Sequence, residues 1–337
     1  MAFLKVKELG FFKVIVYSFL IILFSLSSCS TMKDVSLSSR LAESNCNLKN
    51  VYEYRAEELP RPLHELELDS NLLKYFDINS LNVAHAIGIL DDLNRFVQLQ
   101  EHGQKDSSLE KRMEVVELSQ KINQAINLSS LSISAITSEI DCEEERAEQV
   151  SAYMKEKEKD TETRLTVGAI IVGAAGAIVA GALLLNGDES NAPEFVGIGA
   201  GLAEATLGLM VLTNKKRVKF HHPRNVLREI WNGEETSSMF PPALWYYLNY
   251  FNPQQVERNS LRYQILEGWM SFEQISSTQG QKKRSLFEVF FGDGGMYSSD
   301  QLKTRANMLD QLEAQISLMK QDLKALATEL QEFYKKR

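Results

Sequence analysis

Residues 302–333 read LKTRANMLDQLEAQISLMKQDLKALATELQEF, and the spacing of their apolar positions decides the fold. Leu302, Leu309, Ile316, Leu323 and Leu330 lie seven apart without interruption, and Leu312, Met319, Leu326 and Phe333 follow at the second core position. Arg305 is the only departure. A repeat of seven keeps one helical face on a partner along its whole length. The stretch therefore predicts an amphipathic helix that needs another long helix to cover it, with Ser298-Ser299-Asp300 offering the N-terminal cap.

The complementary stripe lies in 107–165. Ile126, Ile133, Ile140, Ala147 and Met154 are seven apart, and Val115, Ile122, Ile136 and Val150 fill the companion stripe. Ser129 and Glu143 are its defects. Neither glycine nor proline occurs between Gln104 and Val167, and Ser107 or Ser108 can cap the start. Lys155-Glu156-Lys157-Glu158-Lys159-Asp160 mixes signs as a solvated helical surface does. The C-terminal helix packs on its own domain, in the sharper form as an antiparallel pair with 107–165. Intramolecular packing is preferred to a homo-oligomeric coil. Upstream, Leu81, Val83, Ala84, Ile87, Leu90, Leu93 and Val97 follow a period near 3.6 and predict one helix over 80–100, broken at 102–106.

Between the heptad regions lies an apolar hairpin. Val167–Leu185 carries no charge, 186–194 is a polar, acidic loop, and Phe195–Leu212 is apolar except for Glu204 and Thr206. Each run is about 27 Å long as a helix, close to the ~30 Å hydrocarbon core of a bilayer. Small residues recur every fourth position: Ala169, Gly173, Ala177 and Gly181 in the first run, Gly197, Gly201 and Ala205 in the second. Such stripes let helix backbones approach closely. The segment resembles the two-helix glycine-zipper hairpins of some bacterial envelope lipoproteins, while its larger aliphatic content and Glu204 depart from them. It predicts insertion into a membrane, or a buried hairpin at the centre of a soluble domain. Lys215, Lys216, Arg217 and Lys219 follow it, whereas the loop carries Asp188, Glu189 and Glu194. With a periplasmic body, an inner-membrane hairpin would invert the positive-inside preference.

At the N-terminus, Lys5, Lys7 and Lys13 accompany an apolar run, Val14–Leu26, which closes on Leu26-Ser27-Ser28-Cys29. That order resembles the signal and lipobox of bacterial lipoproteins. The resemblance implies removal of 1–28, a covalent lipid on Cys29, and attachment to the cell envelope. Ser30, in place of Asp, implies the outer membrane facing the periplasm. A plain transmembrane anchor is the alternative. Cys46 and Cys142 then remain in an oxidising compartment, as a disulfide or as two buried thiols.

Residues 29–62 read as a polar tether ended by Pro60 and Pro62, and 63–166 as a helical domain containing the long helix. Residues 167–212 are the hairpin, 213–297 an aromatic-rich helical region, and 298–337 the C-terminal heptad helix. Within 213–297, helices are predicted from Pro241-Pro242 to Tyr250 and over 254–275, with a turn at Gly292-Asp293-Gly294-Gly295. The aromatics form a packed core or, less readily, a membrane-interface belt.

The net charge of −8, near −10 once the signal is removed, gives no basic surplus for nucleic acid. His64, His85, His102, His221 and His222 lack metal-ligand spacing, and His221-His222 read as a solvated pair. Without nucleophile or phosphate-loop motifs, the chain offers no catalytic or metal residues and no cofactor beyond the Cys29 lipid. The fold expected is all-α: coiled-coil-like helices flanking a glycine-rich hairpin, plus a small aromatic-rich domain. The function expected is that of a structural or interaction lipoprotein whose partners are the bilayer and a homo-oligomer or envelope protein. Long helices around an apolar hairpin are also similar in layout to α-helical pore-forming toxins, which makes a membrane-perturbing protein the alternative.

Overall fold

The computed structural model describes Cys46 and residues 51–102, 108–185, 191–253, 259–271 and 287–335. In chain order the elements are α1 (Ser70–Tyr75), α2 (Ile78–Ala86), α3 (Leu90–His102), α4 (Leu109–Leu185), α5 (Ala192–Thr213), β1 (Arg217–His221), α6 (Val226–Asn232), α7 (Pro242–Asn249), α8 (Leu261–Ser271), β2 (Gly294–Ser298) and α9 (Ser299–Lys335). The fold is predominantly all-α, with one small sheet. The signal, Cys29, most of the tether and loop residues 186–190 lie outside the described residues.

The heptad helices pair within the chain. α4 runs unbroken for 77 residues, about 115 Å, and α9 lies antiparallel on its first two-thirds. Glu158 meets Ser299, Glu148 meets Lys303 and Asp141 meets Glu313. Both stripes are shut inside the seam: Ile122, Ile126, Ile133, Ile140, Ala147 and Met154 on one side, Leu302 through Phe333 on the other. Ser108 Oγ accepts from Lys111 N at 3.4 Å to open α4. Ser298 opens α9 in a capping box, its Oγ accepting from Gln301 N at 3.3 Å while its own N donates to Gln301 Oε1 at 2.8 Å.

The single helix expected over 80–100 is two. Gly88 takes a left-handed φ of +75°, which turns the chain between α2 and α3. Each of α1 and α2 starts on an aspartate, with Asp69 accepting from Asn71 N and Asp77 from Asn79 N. The described part of the supposed tether is docked as well. Tyr52 N donates to Ser238 O, and the Tyr54 hydroxyl accepts from Ser237 N. Cys46 and Cys142 form a disulfide with their α-carbons 5.5 Å apart, so the N-terminal arm is bonded to the middle of α4.

Sequence reading missed the sheet. β1 and β2 pair antiparallel, with Val218 opposite Tyr297 and Phe220 opposite Gly295. Arg217-Val218-Lys219-Phe220 alternates outward and buried residues, a period of two that short helical windows hide. The expected turn at 292–295 is instead partly strand. Gly294 (φ +114°) lies so close to β1 that a β-carbon would come within 2.2 Å of the Phe220 carbonyl oxygen. Helix α6 was also unanticipated, and the described helix within 254–275 covers only Leu261–Ser271.

The aromatics fill the core of the head rather than a belt. Phe220, Phe240, Trp245, Trp269, Phe290 and Phe291 are buried, with Phe240 and Trp245 stacked at 5.6 Å. The heptad defects mark where this head sits on the stem. Glu143 pairs with Arg146 at 2.7 Å, whose guanidinium also donates to His221 O. Buried Arg305 donates to Phe290 O and to Asn225 Oδ1, both at 3.2 Å. His222, expected to be solvated, is fully buried 2.8 Å from the Tyr297 hydroxyl. That hydroxyl donates to Val289 O, so the imidazole Nε2–H donates to it. Burial, with Arg305 and Arg146 adding to it, pushes the His222 pKa down to about 2 and keeps the ring neutral.

Candidate membrane-inserting hairpin

Val167–Leu185 is the distal quarter of α4 itself, continuous with the stem helix, and α5 returns alongside it. The uncharged arm of 19 residues is about 28 Å long and the 22 residues of α5 about 33 Å, so each is long enough to cross a hydrocarbon core. Pro193 opens α5, where its missing N–H costs nothing. Thr206 Oγ1 donates to Leu202 O at 2.7 Å and Thr213 Oγ1 to Leu209 O at 3.0 Å. Both hydroxyls are thus satisfied on their own helix and need no water.

The arms touch along a ridge in a groove. Gly168, Gly173 and Gly176 of α4 form the groove, and Val196, Ala200, Glu204 and Leu207 of α5 sit over it. The closest approach is Gly176 against Ala200, where a β-carbon on residue 176 would stand 2.2 Å from that of Ala200. The Glu204 carboxylate lies over Gly173, where an added β-carbon would come within 2.9 Å of Oε2.

Only part of the predicted small-residue stripe is used in this way. Ala169 and Gly173 are on the packing face, Ala177 is exposed, and Gly181 has open space where a side chain would be. A step of four residues overshoots one turn by about 40°, so a period-four stripe winds off a straight contact face within three steps. On α5 the predicted positions Gly197, Gly201 and Ala205 are exposed, with nothing near the two glycines. Two flat grooves facing each other would leave a void, so α5 turns its bulkier residues inward instead.

Outside that line of contact the hairpin is bare. Leu185 is 90% exposed, Leu212 78% and Ile178 72%, and Ile170, Ile171, Leu184, Ile198, Leu202 and Leu209 are at least half exposed. In neither arm is the most apolar 18-residue stretch buried. A contiguous apolar surface of this kind is rare on a protein surrounded by water.

A polar seat fixes the hairpin to the stem. Glu158 Oε1 accepts from Lys216 N at 2.8 Å, its Oε2 accepts from Ser299 Oγ at 3.0 Å, and its carbonyl accepts from Asn214 Nδ2 at 3.3 Å. Lys216 Nζ reaches Lys157 O and Thr161 Oγ1, both at 3.3 Å. Asp300 draws in Lys215 and Lys155, at 3.3 and 3.7 Å. One carboxylate thus joins the stem helix, the corner after α5 and the start of α9. The run 155–160, read as plain solvated surface, supplies that carboxylate. The groups it accepts from, Lys216 N and Ser299 Oγ, lie 58 and 141 residues away in sequence, which no local pattern reveals.

Elsewhere, Asp141, Glu144 and Glu313 converge at the stem seam with carboxylate oxygens within 4.8 Å of one another. Burial, then Asp310, Glu148, Glu313 and Asp141, push the Glu144 carboxyl up to about 7. No protein-family model matches the chain, and neither curated proteins nor solved structures include a significant match to it.

Proposed function

We propose that this chain is a lipid-anchored envelope protein, attached through Cys29, that inserts hairpin 167–212 into a bilayer and holds its head and stem at the membrane surface in a structural or interaction role. One observation carries the reading. Two membrane-length helices project past the body, touch each other along one narrow line, and leave their large aliphatic residues uncovered. In water that surface would drive aggregation, whereas in hydrocarbon it costs nothing. Because the lipid on Cys29 already secures the chain, the hairpin serves to set orientation or to assemble with a partner.

Glu204 favours a second reading. It is exposed near the middle of α5, beside the outward-facing Gly201 and Ala205. A carboxylate at that depth needs a polar or hydrated partner. A ring of hairpins lining water, as in a pore-forming protein, would provide one.

Cys29→Ser protein purified in detergent and diluted into dye-loaded liposomes tests both readings. Flotation with the vesicles and protection of 167–212 from added protease are expected. Leakage of dye selects the pore. A hairpin cleaved freely in the presence of vesicles overturns insertion. Separately, incorporation of labelled fatty acid that is unchanged by Cys29→Ser overturns the anchor.

A further inference from the structure

A cleft of about 310 Å³ lies on the head, far from the hairpin, where α2, α7, α8 and α9 meet. Its lining is chemically selective. Six of the thirteen residues around it are carboxamides: Asn79, Asn82, Asn252, Asn259, Gln264 and Gln321. The only charge is Asp322, and no Lys, Arg or His lines the cleft among the described residues. A carboxamide offers donors and an acceptor together, and so does a hydroxyl or an acetamide. A wall of carboxamides therefore matches a neutral ligand dense in those groups, and nothing in it attracts phosphate or carboxylate.

Three details make this more than a polar dent. Among the described residues, the side chains of Asn79, Asn259 and Gln321 make no hydrogen bond, so their capacity is open to the cleft. Asp322 accepts from the Tyr247 hydroxyl at 2.7 Å, which fixes the carboxylate and leaves its other oxygen for a ligand hydroxyl. Beside them Phe251 is 47% exposed and Tyr250 half-buried, and both rings also border a second cleft of about 330 Å³ formed with Pro60, Pro62, His64 and Trp245. Aromatic faces next to hydrogen-bonding side chains suit the alternating C–H and O–H faces of a sugar ring. Two clefts joined at shared aromatics suit a chain of such rings.

We infer that this amide-lined cleft binds a neutral glycan, with Asn79, Gln321 and Asp322 reading hydroxyl or acetamido groups and Phe251 stacking on a ring. This goes beyond the membrane reading and stands whether or not the hairpin inserts. The test uses the full chain in a zwitterionic amine-oxide detergent, because a glycoside detergent would compete. Tetra-N-acetylchitotetraose and maltotetraose are titrated in turn, followed by intrinsic fluorescence and saturation-transfer NMR. Saturable binding with a Kd of about 0.1–1 mM is expected for at least one. Preference for the chitotetraose assigns the carboxamides to acetamido groups, and equal binding assigns them to hydroxyls. Asn79→Ala with Gln321→Ala, both at exposed positions, should weaken binding at least tenfold with an unchanged helical circular-dichroism signal. Absence of saturation by either sugar at about 10 mM overturns the inference. So does binding that the double substitution leaves intact.

Discussion

Replacing Gly176 with leucine should force the two hairpin arms apart, whereas the same change at Gly201 should not. A β-carbon at 176 would stand 2.2 Å from the Ala200 β-carbon, and ordinary contact begins near 3.4 Å. The arms must therefore part by roughly 1.2 Å to admit even a methyl, and by about 3 Å for the rest of a leucine side chain. The approaches of Leu207 to Gly168 and of Glu204 to Gly173 across the line loosen with it. Overpacking of this kind costs about 1–3 kcal/mol, which is a factor of roughly 5 to 150 in the closed-to-splayed ratio. At Gly201 the added side chain meets open space. Spin labels at Ile178 and Ile198, both outward-facing, report the separation by double electron–electron resonance in detergent and in liposomes. A longer, broader distance distribution for Gly176→Leu alone is expected. Equal shifts in both variants, or a larger shift for Gly201→Leu, would refute the groove-and-ridge packing and restore the period-four stripe as the contact.

Opening the disulfide by Cys46→Ser with Cys142→Ser frees a loop closed by residues 96 apart, and chain entropy puts the loss at about 4.7 kcal/mol, read as a lower guanidinium midpoint that reductant no longer moves. Arg305→Ala should cost about 1–3 kcal/mol by the same assay, because it leaves Asn225 Oδ1 in the core without its donor, while Asn225 Nδ2 keeps Phe290 O paired and Arg146 keeps Glu143 paired; a loss below about 0.5 kcal/mol would mean that the socket is ornamental. Glu144 should make stability fall as pH rises. Its carboxyl titrates near the ordinary carboxylate value when unfolded and at about 7 when folded, so the folded state is unpenalised below pH 4.5 and bears the full cost of ionisation above pH 7. Partial exposure screens that cost to about 1 kcal/mol. Glu144→Gln should flatten the slope across that window, and an unchanged slope would exclude Glu144 as its source.

The stem was legible because heptads declare both their helix and the face that needs a partner. The same stripes could not show that Glu143 and Arg305, interruptions in one dimension, are in three dimensions the places where the head is bolted on. The hairpin was legible as two membrane-length runs, since length and missing charge are local properties. Which face closes it was not, because Gly197 and Gly176 look alike in sequence and differ only in what the opposite helix presents. β1 escaped because five residues of alternation are too few to stand out among helices, and its partner begins 73 residues after it ends. The carboxamide cleft gathers Asn79, Gln264 and Gln321 from three helices that share no sequence pattern.

The disulfide has a mechanical consequence. Tension applied at Cys46 enters the folded body through the sulfur–sulfur bond at Cys142, so the 95 intervening residues, with α1, α2 and α3 among them, carry no load. From Cys142 the force passes straight up α4, which reaches Val167 in 25 residues, about 37 Å, with neither glycine nor proline to yield along the way. A pull at Cys46 is therefore delivered to the root of the hairpin as if through a single rod, and α1, α2 and α3 stay folded beside it.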